Sequence, residues 1–288
     1  MKKSTLPRNE HFLRMYQVIQ NVAYCEGAQT PNQTLDLIVP WRVTLGDKSH
    51  QTFPLVVFVQ GSGWQMGENG FEVIQLADFA RRGYVVAMVR HRNAFEGHPF
   101  PDYLTDVKCA IRFLRAHAYE YEIDPQRVIG IGTSSGGNAI QLVGLTANDP
   151  RYQTADYPNV SDGVDLVVSC FGVSDVVAIQ HQEEFIEVTQ HLENPRFPKT
   201  LEQMSPVYQV KPGQDYPPFL LMHGSQDTLV PYQQMPEMAE KLDQNGYEVE
   251  MVTVTGADHE SDFWSYEVWE KISDFITTHL PQVAAQGR

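Results

Sequence analysis

Residues 132–136 read Gly-Thr-Ser-Ser-Gly and stand between a short apolar run and an amphipathic segment. A Gly-x-Ser-x-Gly sequence at the junction of a strand and a helix is typical of a nucleophile elbow, a tight turn that exposes one serine hydroxyl above the edge of a sheet. The glycines are needed because a Cβ atom at either position would clash with a neighbouring strand or helix. The same pentapeptide also occurs in ordinary loops, so its interpretation depends on the rest of the chain.

Apolar runs of strand length alternate with segments of helical periodicity after residue 50. Because these runs are continuous, they indicate strands covered on both faces, as in a parallel sheet. Their positions are 54–59, 84–89, 127–131, 164–170 and 219–222. Apolar residues recur at helical spacing in 102–117 and again near the C-terminus. The alternation predicts an α/β fold with a mostly parallel central sheet and helices on both faces.

Two regions interrupt this alternation. Residues 1–50 predict a short helix together with one or two antiparallel edge strands, near 22–24 and 35–39. Residues 176–216 separate two predicted strands by about forty residues, which is too long for a bare loop in a compact domain. This region is either a small cap inserted over the site or an ordinary crossover helix with a long surface tail. We expect one domain over 1–288, with the candidate cap inside it.

Composition and charge exclude several kinds of partner. The 288 residues carry a formal net charge of −15, whereas a protein that binds nucleic acid or an anionic membrane would need a basic face. No run approaches the roughly 18 apolar residues of a membrane span, and the residues after Met1 lack the apolar core of a signal peptide. We expect a cytoplasmic protein without nucleic-acid or membrane partners, and the sequence leaves the oligomeric state open.

The three cysteines, Cys25, Cys109 and Cys170, are far apart in the sequence and odd in number. They fit neither a disulfide framework nor a Cys-x-x-Cys metal site. Each lies in an apolar context, which predicts buried free thiols. The sequence therefore predicts no metal site.

Two later segments supply an acid and a base for a serine nucleophile. Asp227 directly follows the predicted strand at 219–222, and His259 directly follows an alternating strand at 247–254. Both residues and Ser134 therefore fall at the carboxyl edge of the predicted sheet, where open α/β sheets place their sites. A serine hydroxyl needs a base to take its proton, and an imidazole oriented by a carboxylate does this near neutral pH. We predict Ser134 as nucleophile, His259 as base and Asp227 as orienting acid.

Other residues compete for these roles. Asp175 follows an earlier strand and is the alternative acid, whereas Asp258 is disfavoured because it is adjacent to the histidine. A nucleophile at Ser135 would place the β-branched Thr133 two residues before it, where the turn is most crowded. This comparison favours Ser134 over Ser135.

The loop after the first long apolar run reads Gln-Gly-Ser-Gly-Trp at 60–64. Small residues there allow backbone amides to approach a developing oxyanion. We assign the oxyanion hole to the amides of Ser62, Gly63 and Ser135. Trp64 is predicted to contact the substrate.

Taken together, these motifs resemble those of α/β-hydrolase esterases of the hormone-sensitive-lipase and acetylxylan/feruloyl-esterase type. Four motifs occur in that family's order between about residue 22 and residue 280: the oxyanion loop, the elbow, the acid loop with His223-Gly224 and the histidine loop. The chain also departs from the family pattern. Gln60 and Ser62 replace a histidine and a glycine of the oxyanion loop, and Ser135 replaces an alanine of the elbow.

The resemblance implies the α/β-hydrolase fold and hydrolysis of small carboxylic esters, with no metal or organic cofactor. With the residues above, it predicts a serine carboxylesterase that cleaves short-chain or aryl esters of acetyl or feruloyl type through an acyl-enzyme. Its partner would be a small-molecule ester. One alternative is an exopeptidase of the prolyl-oligopeptidase kind, although nothing in the sequence marks the acidic anchor that it needs. The other is a non-catalytic ligand-binding homologue, which would be expected to have lost a triad residue.

Overall fold

The computed structural model describes residues 3–5, 15–28, 30–41 and 52–280. The strands in this part of the chain are β1 (Met15–Ala23), β2 (Thr34–Trp41), β3 (Phe53–Val59), β4 (Val85–Val89), β5 (Ile123–Thr133), β6 (Leu166–Cys170), β7 (Phe219–Gly224) and β8 (Val249–Val254). They form one eight-stranded sheet in the order β1-β2-β4-β3-β5-β6-β7-β8. The β1–β2 and β2–β4 pairs are antiparallel, and all other neighbours are parallel.

Helices cover both faces of this sheet. They are α1 (Val73–Arg82), α2 (Asp102–Ala116), α3 (Ser134–Leu145), α4 (Val176–Ile179), α5 (Glu183–Leu192), α6 (Thr200–Gln203), α7 (Gln234–Gln244) and α8 (Tyr266–His279). None of the helices within the described residues has the length and apolar character needed to span a membrane.

Strand β3 illustrates how the sheet builds two cores. Its side chains point alternately to opposite faces, so Leu55 and Val57 join the core of α2, α3, α5 and α7, while Val56 and Phe58 join the core of α1 and α8. All four are almost fully buried. Each such side chain contributes about 1.5–3 kcal/mol, and burial on both faces explains why the sequence shows a continuous apolar run here.

The fold confirms the predicted α/β-hydrolase architecture. The five continuous apolar runs correspond to β3 through β7, and the alternating segment corresponds to β8. The two predicted edge strands are β1 and β2, which pair antiparallel. The short helix predicted within 1–50 is absent from residues 15–28 and 30–41, and most of the remaining residues of that region lie outside the described residues.

The segment 176–216 contains α4, α5, α6 and a short 3₁₀ turn. Backbone and side-chain hydrogen bonds attach it to the rest of the protein at several points. The carbonyl oxygen of Leu192 accepts from the amide of Phe100 at 3.1 Å, and that of Met204 accepts from the side chain of Asn138 in α3 at 2.8 Å. Leu192 and Met204 are also fully buried, so this segment packs into the same core as α2 and α3.

Candidate active site

Ser134 occupies a sharp turn between β5 and α3. Its φ angle is 51°, in the left-handed region that residues other than glycine adopt only at a cost. A Cβ atom at Gly132 would overlap the carbonyl oxygen of Gly136, and one at Gly136 would overlap that of Val59 at the end of β3. The two glycines therefore allow the turn to pack against β3 and against its own helix, and the strained serine lies between them.

Asp227 and His259 lie next to each other on the loops that follow β7 and β8. His259 Nδ1 is 2.8 Å from Asp227 Oδ2, and the side chain of Asp227 is fully buried. The other carboxylate oxygen, Oδ1, accepts from the amides of Leu229 and Val230 at 2.9 and 2.8 Å. Because Nδ1 faces an acceptor, we assign the proton of the neutral ring to Nδ1. Nε2 then keeps its lone pair, as a general base requires.

A second histidine, His223 at the end of β7, contacts the same carboxylate. Its Nε2 lies 3.0 Å from Asp227 Oδ2 and 3.0 Å from the carbonyl oxygen of Val230, and its side chain is 1% exposed. Both neighbours are acceptors, so Nε2 carries a proton and donates it. Burial of Asp227 opposes its charge, but the hydrogen bonds from His223 and His259 outweigh burial and hold the pKa of Asp227 well below its usual range.

The sequence alone indicates no separate role for His223. The residue belongs to the acid-loop motif and lies four positions before Asp227. Because the segment between them is the end of a strand and a loop, this spacing does not predict a contact. The bend after β7 brings the two side chains together.

Phe171, directly after β6, packs on the imidazole of His259. The two ring centroids are 4.6 Å apart and the rings are tilted by 62°. Phe171 has a φ of 39° and also meets Phe263 edge-on, at 4.8 Å between centroids. The imidazole of His259 is therefore held by a carboxylate at Nδ1 and by an aromatic ring on its side.

The loop at 60–64 lies directly against the elbow. The Gly61 amide donates to Thr133 Oγ1 at 2.7 Å. A Cβ atom on Gly61 would lie 2.6 Å from Ser134 Cβ, so only glycine allows this approach. The backbone of the loop at Gly61 thus packs directly against the predicted nucleophile.

Two of the predicted oxyanion residues, Ser62 and Ser135, are in direct contact. The amide of Ser62 donates to Ser135 Oγ at 3.0 Å, so this predicted oxyanion donor already has an acceptor. The Ser62 hydroxyl donates to the carbonyl oxygen of Gln65 at 2.6 Å and closes the loop. Gly63 has a φ of 59°, a conformation that favours glycine.

Comparison with known proteins identifies the family. The sequence profile of the BD-FAE family matches residues 42–242, which is more than half of the chain. The chain belongs to the BD-FAE family. This result confirms the esterase-family resemblance drawn from the four motifs.

Curated relatives of this BD-FAE protein carry esterase names. Esterase LipC of Mycobacterium tuberculosis is 34% identical over 220 residues, which cover 74% of this chain and 52% of LipC. The probable carboxylic ester hydrolase LipM of the same organism is 29% identical over 200 residues, which cover 67% of this chain and 46% of LipM. The chain therefore spans about half the length of these curated relatives.

Solved structures share the fold of this BD-FAE protein. A truncated form of a carbohydrate esterase from gut microbiota has a TM-score of 0.77 and 23% identity, with coverage of 93% of this chain and 97% of that one. A thermophilic esterase of the planctomycete Thermogutta terrifontis has a TM-score of 0.72 and 22% identity, with coverage of 96% and 95%. At this level of identity, the similarity establishes the α/β-hydrolase fold.

Trp64 lies in the core of the BD-FAE protein. It is 1% exposed, and its indole N–H is 3.4 Å from Asn138 Oδ1, which also accepts from the Tyr103 hydroxyl at 2.7 Å. Asn138 in turn donates to the carbonyl oxygen of Val173 at 2.8 Å. This placement argues against the predicted substrate contact of Trp64, because the indole anchors the loop from within. An aromatic residue beside a glycine-rich loop gives the same sequence pattern in either role.

The alternative acids of the BD-FAE protein have other partners. Asp175 Oδ1 accepts from the amide of Ala178 at 3.0 Å and so caps α4. Asp258 Oδ1 accepts from the amide of Thr228 at 2.7 Å and from the backbone amide of His259, also at 2.7 Å. These contacts fix a helix start and a loop, and the ring of His259 pairs instead with the predicted acid.

Proposed function

We propose that this BD-FAE protein is a serine carboxylesterase that cleaves short-chain or aryl esters of acetyl or feruloyl type. The Asp227–His259 hydrogen bond of 2.8 Å, at the same sheet edge as the strained Ser134 turn, is the observation that carries the proposal. The esterase names of LipC and LipM support it.

In the proposed mechanism, Ser134 Oγ attacks the ester carbonyl carbon while His259 Nε2 takes the hydroxyl proton. Asp227 holds the imidazole in the required tautomer and stabilises its protonated form. His259 then gives the proton to the leaving alcohol oxygen, and the acyl group stays on Ser134. A water molecule activated by His259 attacks the acyl-enzyme and releases the carboxylic acid.

The amides of Ser62, Gly63 and Ser135 are the proposed donors to the oxyanion of the tetrahedral intermediate. The Ser62 amide would exchange its bond to Ser135 Oγ for a bond to the oxyanion. Thr133 would keep the loop in place during this exchange, since its hydroxyl holds the neighbouring amide of Gly61.

A labelling experiment tests the nucleophile. Wild type, Ser134→Ala and Ser135→Ala are incubated with a fluorophosphonate probe, and hydrolysis of p-nitrophenyl acetate is measured in parallel. We expect labelling and activity in wild type and Ser135→Ala. In Ser134→Ala we expect no labelling and a kcat that is lower by roughly 10⁴-fold or more. A folded wild type that is neither labelled nor active contradicts the esterase proposal. Full labelling of Ser134→Ala contradicts only the choice of serine.

A substrate panel tests the proposed ester class. We expect kcat/KM to be higher for p-nitrophenyl acetate and methyl ferulate than for a long-chain p-nitrophenyl ester. A dipeptidyl p-nitroanilide in the same panel tests the exopeptidase alternative. Faster cleavage of the anilide than of any ester would overturn the proposed ester specificity.

We further propose that residues 176–216 form a small cap within a single domain. Leu192 and Met204 are buried, and their carbonyl oxygens accept from the Phe100 amide and the Asn138 side chain, which supports a cap firmly packed on the catalytic core. Limited proteolysis tests this arrangement. Cleavage within 176–216 at the same rate as in an unfolded control would contradict it.

A further inference from the structure

Two cysteines that are distant in the sequence meet outside the proposed serine site. Cys25, just after β1, and Cys109, in α2, are free thiols whose Sγ atoms lie 3.2 Å apart. The expectation of buried free thiols is confirmed for Cys109 and Cys170, whereas Cys25 is half-buried. Antiparallel pairing of β1 with β2 and the packing of α2 create this contact, which the sequence separation of 84 positions conceals.

We propose that Cys25 and Cys109 form a redox modification site, which a small-molecule disulfide of the glutathione class converts into an intramolecular disulfide. Cys25, the less buried residue of the pair, attacks the external disulfide as its thiolate, forms a mixed disulfide and releases one thiol. Cys109 then attacks Cys25 Sγ, forms the internal S–S bond and releases the second thiol. The protein loses two electrons and two protons, and the external disulfide gains them as two thiols.

The separation of the two sulfurs favours a direct bond over a metal. The two Sγ atoms and a carboxylate oxygen of Asp156 all lie within 4.8 Å of one another, so the three residues are also potential metal ligands. Two thiolates on a tetrahedral zinc ion, each about 2.3 Å from it, would lie about 3.8 Å apart. The observed 3.2 Å is shorter. Asp156 Oδ1 also already accepts from the amide of Glu26 at 3.0 Å.

The surroundings of Cys109 suit the second step. The Cys25 thiol donates a hydrogen bond to Cys109 Sγ, and this bond lowers the pKa of Cys109. Burial acts in the opposite direction, but the Thr154 side chain and the nearby Arg112 guanidinium also lower the pKa of Cys109. The same hydrogen bond, together with burial, raises the pKa of Cys25, so Cys109 is the sulfur that favours the thiolate, and it lies in contact with the less buried Cys25. This arrangement is the one that a resolving cysteine needs.

Thiol counting on the full chain tests the proposal. Reduced protein is treated with oxidised glutathione, and free thiols are counted after denaturation. We expect the count to fall from three to one, with Cys170 remaining free, and the intact mass to decrease by two hydrogens. Reductant should restore all three thiols.

Two variants separate the steps. Cys109→Ser should stop at a stable mixed disulfide between Cys25 and glutathione, whereas Cys170→Ser should form the internal bond and retain no free thiol. Three free thiols after oxidation of the wild type, or a persistent mixed disulfide in the wild type, would overturn the proposal. So would stoichiometric binding of zinc chloride by the reduced wild type that is lost in Cys25→Ser, since this result assigns the pair to a metal site. None of these measurements depends on ester hydrolysis.

Discussion

Replacing His223 separates its hydrogen bond to Asp227 from its contribution to packing. His223 Nε2 and His259 Nδ1 both donate to Asp227 Oδ2, at 3.0 and 2.8 Å. The substitution His223→Leu keeps an apolar side chain in the buried space and removes the donor. The substitution His223→Gln provides an amide N–H that can reach the position of Nε2, so it serves as the matched control.

The size of the effect follows from the remaining partners of the carboxylate. In His223→Leu, Asp227 keeps His259 and the amides of Leu229 and Val230, so it stays ionised. A hydrogen bond to a charged group contributes about 1.5–3 kcal/mol, and we expect a loss of about 2 kcal/mol in the free energy of unfolding. If the same interaction acts in the transition state, kcat falls about 10- to 100-fold. KM should change little, because the buried His223 has no access to the substrate.

The pH profile distinguishes positioning from packing. With one donor fewer, the pKa of Asp227 rises from its lowered value, so the ionised carboxylate that orients the imidazole of His259 is lost at a higher pH. We expect the acidic limb of kcat/KM for p-nitrophenyl acetate to move to higher pH in His223→Leu and to return towards wild type in His223→Gln. Urea unfolding gives the stability of each variant. If His223→Leu loses stability but keeps the wild-type kcat and pH profile, His223 is only a packing residue and does not position Asp227 for catalysis.

Three further substitutions have defined outcomes. In urea unfolding, Gly136→Ala should lose about 3 kcal/mol or more in the free energy of unfolding, because its Cβ would overlap the Val59 carbonyl oxygen. Wild-type stability of this variant would contradict the elbow geometry. Burial raises the pKa of Glu72 from 4.5 to about 7, so the protonated form stabilises the fold at low pH. Relative to Glu72→Gln, the free energy of unfolding of the wild type should fall by up to roughly 1.4 kcal/mol per pH unit as the pH rises from 4.5 to about 7. A stability difference that does not depend on pH would refute this. Ser135→Ala frees the Ser62 amide and should raise kcat by about two- to tenfold; a decrease would mean that the hydroxyl is needed to hold the loop.

The sequence predicted those features of the fold that depend on local chemistry. A strand buried on both faces must be apolar throughout, so β3 was visible as the run at 54–59. A turn whose backbone touches β3 must carry glycine, so Gly132 and Gly136 indicated the elbow. The placement of Ser134 and the two later loops at one edge of the sheet then followed, because parallel strands end at the same edge.

Features that depend on where a side chain points could not be predicted in this way. Trp64 follows a glycine-rich loop, but its indole turns into the core towards Asn138. His223 is an apolar-strand residue by position, yet the bend after β7 directs its Nε2 to Asp227. Cys25 lies in an edge hairpin and meets α2 only through the packing of that hairpin. In each case the partner is distant in sequence, or is reached through a bend that no periodicity encodes.

The two neighbours of Ser134 attach the elbow to the oxyanion loop. Thr133 Oγ1 accepts from the amide of Gly61, and Ser135 Oγ accepts from the next amide, that of Ser62. Successive amides of one loop are therefore held by the residues that flank the nucleophile, and this double contact sets the position of the loop relative to Ser134. An alanine at 135, as in the esterase motif that the chain resembles, would keep only the Thr133 contact and leave the second amide free. The serine at 135 thus adds a second hydrogen bond between the loop and the elbow and gives one proposed oxyanion donor a competing acceptor. The geometry of the elbow is therefore linked to the rate of the proposed reaction.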